Sequence, residues 1–272
     1  MSLAENFQPV ERKTPPGQID KDELLKMCRR VKSLSDRYGE VLFDEGCGFL
    51  VSNDKGMSEI IPSLREAFDK VSPGVGLVIG SGGIFSLLPE MKPIKAVIVV
   101  DNDKLVLEFN KFLSKQILSG EGVREIFIAI LHSMYSSKDW LNHRPPVEDL
   151  LSEREKYGVF HWTNENRLEE VRSALRNIPL VFVAADLRHK SFVAELKRTI
   201  FNQSGLGISF ANFTNVHEWV LGTPFNGNPF DYTMDYLSVL PWFPNTPILY
   251  SKQWLKTNLA IGFQNYVDGT RL

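Results

Sequence analysis

The sequence predicts an α/β fold in which helices cover both faces of a doubly wound, mostly parallel sheet, with a helical and hairpin extension at the N-terminus. Three observations predict it. Short apolar or β-branched runs at 76–79, 96–100, 180–184 and 207–214 have strand length and little polar alternation, as strands buried on both faces require. Between them apolar residues recur at helical spacing, as in Leu105, Val106, Phe109, Phe112, Leu113 and Ile117. The first run also opens straight into a glycine turn, Gly80-Ser81-Gly82-Gly83, the junction expected between a strand and its crossover helix.

From the start, residues 1–18 read as a polar arm containing Pro15-Pro16-Gly17. Asp20 is placed to cap a helix carrying Leu24, Leu25, Met27, Cys28, Val31 and Leu34 as far as Arg37, with Gly39 as its stop. Glu40 to Phe43 and Phe49 to Val51 flank the Gly-rich Asp44 to Gly48, which predicts a hairpin. Ser58 to Val71 reads as a second amphipathic helix through Ile60, Ile61, Leu64, Ala67 and Phe68. The expected division is an N-terminal extension over 1–72 and the sheet domain over 73–272.

Beyond the glycine turn, the helix over 105–117 ends at Ser119-Gly120. Ile126 to Leu131 fits strand or helix, and Asn142 to Pro146 is a break. Tyr157 to Trp162 is a short strand candidate, followed by a helix from Asn164 or Glu165 with Leu168, Val171, Ala174 and Leu175. Leu180 to Ala184 is a strand leading into Ala185-Asp186-Leu187 and a helix over Lys190 to Phe201. The run 207–214 is the next strand, ending in Asn212 and Asn215. Around the loop Thr223 to Phe230 gather Trp219, Phe225, Phe230, Tyr232, Tyr236, Trp242 and Phe243, which suit a substrate pocket or ordinary packing equally. Ile248 to Ser251 and Ala260 to Val267 form a final hairpin-like pair.

Composition narrows the function classes. A chain of 272 residues that is 43% hydrophobic can bury a substantial core. Its net charge of -2 supplies no basic field, so nucleic acid is not indicated as a partner. Cys28 and Cys47 read as free thiols of a reducing compartment, which with the lack of an apolar leader or of an ~18-residue apolar span points to a cytoplasmic protein without a membrane partner. His132, His143 and His161 lack metal-ligand spacing, so no metal is expected.

The stretch from Gly76 to Asp103 carries the chemistry. A glycine turn lets a ligand approach the backbone and leaves N–H groups free at a helix start. A carboxylate ending the next strand, here Asp101, can accept both hydroxyls of a ribose. In a dinucleotide fingerprint a third glycine would stand at Phe85, and a bulky aromatic there argues against NAD and FAD.

The Gly80 to Gly83 turn followed by Asp101 instead resembles the first two motifs of the class I S-adenosylmethionine-dependent methyltransferases. The resemblance covers roughly 74–270 in topology. It implies a Rossmann-like sheet of methyltransferase type with one antiparallel strand, S-adenosylmethionine as cofactor, and an N-terminal extension that covers the cofactor or selects substrate. It implies a cofactor-binding set of Gly80, Ser81, Gly82, Gly83, Asp101, Asn102 and Asp103, with the glycines along the methionine part and Asp101 on the ribose. Val78 stands where the family has an acidic residue. In the family's order 180–184 is strand four, whose end faces the transferred methyl group, so Asp186 becomes the candidate catalytic residue, and Asp186, Asn212 and Asn215 the candidate substrate contacts. Helix capping is the competing role for Asp186, and turn satisfaction that for the asparagines. Ala185-Asp186-Leu187-Arg188 lacks the N-P-P-Y form of amide and nucleobase-amine methylation. Methyl transfer to a small-molecule or protein acceptor is therefore the leading expectation. A non-catalytic binding module on the same fold is the alternative, and an NAD(P)-dependent oxidoreductase ranks third.

Overall fold

A computed structural model describes residues 19–39, 56–80, 83–120, 122–135, 161–202, 204–214, 237–252 and 256–271. Helix α1 (Lys21–Lys32) begins where the Asp20 side chain accepts the Glu23 N–H at 2.8 Å. Acidic Asp22 and Glu23 in its first turn and Arg29, Arg30 and Lys32 in its last complement the helix dipole. The expected helix through Arg37 breaks at Ser33-Leu34 into a one-turn α2 (Ser35–Tyr38), which stops at Gly39 as predicted. Cys28 is buried, and that burial pushes its thiol up to about 11, leaving it protonated and unreactive. Helix α3 spans Met57–Phe68. Cys47 and the hairpin read at 40–51 lie outside the described residues.

The sheet domain follows as β1 (Gly74–Ile79), α4 (Gly83–Leu87) with a 3-10 turn at Leu88–Glu90, β2 (Ile94–Asp101), α5 (Lys104–Ser119), α6 (Val123–Tyr135), α7 (Glu165–Asn177), β3 (Leu180–Ala184), α8 (Lys190–Lys197), β4 (Ile208–Asn212), β5 (Pro247–Lys252), β6 (Lys256–Ile261) and α9 (Phe263–Arg271). The strand order is β3-β2-β1-β4-β5-β6, with every pair parallel except the antiparallel β5–β6. This is the doubly wound Rossmann-like order with its last strand reversed. The α/β reading and the single antiparallel strand both hold.

Alternate residues of each strand feed two cores. Val97, Val99 and Phe210 face one side with α3, α4, α5 and α7, while Ala96, Ile98, Val100 and Val183 face the other with α1, α8 and α9. On the first side Glu90, 5% exposed, receives Arg65 Nε at 2.5 Å from α3 and an Arg167 terminal nitrogen at 2.5 Å from α7. Arg167 also donates to the Ser86 carbonyl of α4 at 3.1 Å, so one ion cluster ties three helices together.

Four sequence readings change or sharpen. The ambiguous 126–131 run is helical, because Phe127 packs on Phe109 and Trp162 as a buried helix face. In the strand candidate at Tyr157 to Trp162, residues 157–160 lie outside the described residues; His161 to Asn164 form a turn, and Trp162 is buried against Phe85 and Phe127. The last strand stops at Ile261: Gly262 at φ +85° turns the chain, and Tyr266 and Val267 are buried on α9. The strand at 180–184 pairs with β2 at the sheet edge and is therefore third in the order, not fourth. Its burial alternates along the strand, whereas β4 beside β1 is buried throughout.

Candidate functional site

In a parallel sheet all strand ends of one sense share an edge, and ligands lie beyond the carboxyl ends where the order reverses. That reversal falls between β1 and β4. The register sets Ile79 beside Val100, Asp101 beside Ala184 and Val78 beside Asn212. Gly80, Asp101, Asp186 and Asn212 thus all come to the same edge, from the ends of four strands.

Gly80 has φ +88°, and a Cβ built there meets nothing within 4 Å. Glycine is needed for its backbone conformation, and the space beside it is open. The Gly80 carbonyl accepts from Asn110 Nδ2 at 3.4 Å, and the Gly80 N–H lies on the Asp101 side, where it favours the ionised carboxylate. Asp101 Oδ1 accepts the Asp103 N–H at 2.8 Å. Asp103 in turn caps α5 by accepting the Leu105 N–H at 2.8 Å. The other end of α5 is closed by Gly120 at φ +98° and by Arg172, whose Nε donates to the Ile117 carbonyl at 2.7 Å.

Burial pushes the Asp101 carboxyl up to about 7. The Asp103 and Gly80 N–H groups oppose that rise, while the negative charges of Asp103 and Asp186 add to it. A carboxylate offers about four acceptor positions, and the Asp103 N–H at Oδ1 leaves capacity for a diol.

Asp186, 8% exposed, is engaged by Arg188. The Arg188 N–H reaches Oδ1 at 2.8 Å, Nε lies 3.0 Å from Oδ1 and 2.8 Å from Oδ2, and a terminal nitrogen lies 2.5 Å from Oδ2. The hydrogen bonds that it donates to Asp186 hold the Arg188 guanidinium above its ordinary range. Helix α8 starts at His189 with no side-chain cap, so Asp186 does not cap it. Both oxygens of the Asp186 carboxylate are thus engaged by the guanidinium fork.

Asn212 ends β4 in the position the sequence had given to Asp186. It is 2% exposed, and its Oδ1 accepts the Thr214 N–H at 3.1 Å and the Thr214 hydroxyl at 2.8 Å. Gly83 opens α4, and Asn102 links β2 to α5. Val78 and Phe85 are fully buried. Ser81, Gly82, Asn215, the loop 223–230 and the aromatics from Trp219 to Tyr236 lie outside the described residues; Trp242 stacks on Phe263 at 4.8 Å, and Phe243 is buried. Sequence reasoning missed Asn110 and Arg188. Asn110 left a signal, an amide on the apolar stripe of α5 between Val106 and Leu113.

Among the described residues no group of His, Cys, Asp and Glu is placed to hold a metal ion, and no helix is long and apolar enough to cross a membrane. No family model matches the chain, and no curated protein matches it. Among solved structures it is similar to the rRNA methyltransferase aviRa from Streptomyces viridochromogenes. One structure of that protein gives a TM-score of 0.42 at 11% identity, covering 86% of this chain and 98% of the other. A second gives 0.38 at 15% identity, covering 86% and 82%. Similarity at this level assigns neither a residue nor an activity to the present chain.

Proposed function

We propose that the carboxyl edge of the sheet binds S-adenosylmethionine and that the protein transfers its methyl group to a small-molecule or protein acceptor. The observation that carries this reading is the juxtaposition of Gly80 and Asp101 at the ends of neighbouring strands: a left-handed glycine with open space beside it, next to a carboxylate that keeps acceptor capacity. Gly80 and Gly83 would lie along the methionine part, and Asp101 would accept the ribose hydroxyls. Asp186, two residues beyond the strand register partner of Asp101, falls on the same side of the switch point. Bound there, the cofactor supplies a sulfonium methyl that needs no further activation. The protein's part is to orient the acceptor and exclude water, so no triad or metal set is required of it.

The test is calorimetric titration of the full chain with S-adenosylmethionine and S-adenosylhomocysteine. Micromolar binding of either supports the reading, and absence of heat at millimolar ligand sinks it. A non-catalytic module on this fold is favoured by one observation: Val78, buried in the core, supplies no carboxylate for the cofactor's amino group. The oxidoreductase reading is weakest, because the third glycine position of a dinucleotide turn is held by Phe85, a buried aromatic packed on Trp162 with centroids 5.8 Å apart.

A further inference from the structure

Asn110 is fully buried on α5, and its side-chain oxygen has no hydrogen-bond partner. A buried amide oxygen without a donor costs about 1–3 kcal/mol, which an apolar side chain of the same branched shape would avoid. The nitrogen of the same amide makes one contact, to the Gly80 carbonyl, at the outer limit of a hydrogen bond. So long a bond recovers only part of that cost. The amide is a burden on the fold that this contact does not offset, and unsatisfied buried groups of this kind concentrate where a site needs them.

The contact is with the residue on which the edge depends. Gly80 carries a left-handed conformation at the end of β1, on the strand paired with the one that Asp101 ends. Asn110 on its carbonyl gives the peptide that follows Gly80 a side-chain anchor. Resting on the cofactor site proposed above, we propose that Asn110 is a positioning residue, holding the Gly80 carbonyl so that the turn keeps its ligand-ready conformation beside Asp101.

Asn110→Leu separates this role from ordinary packing, and Asn110→Ala replaces it if leucine does not fit. Three readouts are compared with wild type: thermal midpoint, amide exchange at Gly80 in the ligand-free protein, and affinity for S-adenosylhomocysteine. The proposal expects an unchanged or raised midpoint with leucine, Gly80 exchange faster by ~10-fold or more, and affinity weaker by ~10-fold, equivalent to about 1.4 kcal/mol. Unchanged exchange and affinity overturn it. So does a lowered midpoint with faster exchange throughout the sheet, which would make Asn110 plain core. If wild type fails to bind, the cofactor reading falls separately, and exchange at Gly80 still decides the tether.

Discussion

Arg188 and Asp186, two residues apart, close a forked ion pair at the end of β3, with the terminal guanidinium nitrogen 2.5 Å from Oδ2. The pair takes up the lone pairs that a general base would need, and it fixes an anion near Asp101. Arg188→Ala leaves Asp186 nearly buried without its counter-ion. A loss of about 1–3 kcal/mol is expected, below that of a fully buried pair because Arg188 keeps part of its solvent. Urea unfolding of the variant measures it, and an unchanged midpoint would show that the pair contributes nothing.

Asp101 gives a pH signature. Its folded carboxyl stands near 7 and an unfolded aspartate near 3.9, so the folded chain holds more protons between those values. Stability contributed at this site therefore falls as pH rises from about 4 to about 7 and is level above. Asp101→Asn removes the buried charge, and its advantage over wild type should grow across that window to the order of a few kcal/mol at pH 8. Thermal midpoints at pH 5 and pH 8 test this. A constant difference between the two proteins contradicts it.

In ligand binding the same residue acts in the other direction. Two charge-assisted hydrogen bonds to a ribose diol are worth roughly 1.5–3 kcal/mol each. Asp101→Ala should thus weaken S-adenosylhomocysteine by at least ~100-fold while the chain stays folded. Wild-type affinity should rise with pH through 7 as the carboxyl ionises. Titration calorimetry of both proteins checks this, and equal affinities remove Asp101 from the site.

Glu90 is a purely structural counterpart. Burial raises its carboxyl, but the Arg65 and Arg167 guanidiniums override burial and hold it below the usual carboxylate range. Glu90→Gln would leave Arg167, 6% exposed, without its principal counter-charge and should cost about 3 kcal/mol or more. Ligand affinity of the folded fraction should not change. A cofactor defect without a fall in stability would mean that the cluster reaches the site.

The periodicities of Val97 to Val100 and of Val106 to Ile117 made β2 and α5 legible, because burial on both faces of a strand and on one face of a helix writes a pattern into the chain. Asp20, Asn164 and Gly39 marked helix ends for the same reason, each satisfying or terminating local backbone bonds. Strand order was not legible. Leu180 to Ala184 has the same local character whether it pairs with β2 or with β1, and only register decides. Gly80 and Asp101 stand 21 positions apart in a motif of known spacing, so their meeting at the ends of β1 and β2 could be anticipated. The grip of Arg188 on Asp186 depends on rotamers and leaves no periodic trace.

The corrected strand order yields the last prediction. Asn212, beside β1 at the switch point, is separated from Asp101 by the width of β1, while Asp186 lies beyond β2 on the side of Asp101. On the proposed function, Asp186 would fall on the cofactor side and Asn212 opposite it. Asn212→Ala deprives the Thr214 N–H and hydroxyl of their acceptor in a buried turn, at about 1–3 kcal/mol of stability. If the edge is divided in this way, the variant keeps its affinity for S-adenosylhomocysteine within about threefold, under 1 kcal/mol, below the melting transition. Calorimetry at low temperature isolates binding from the stability loss. A drop of tenfold or more in a folded sample would place Asn212 on the cofactor and move the acceptor side of the cleft elsewhere along the edge.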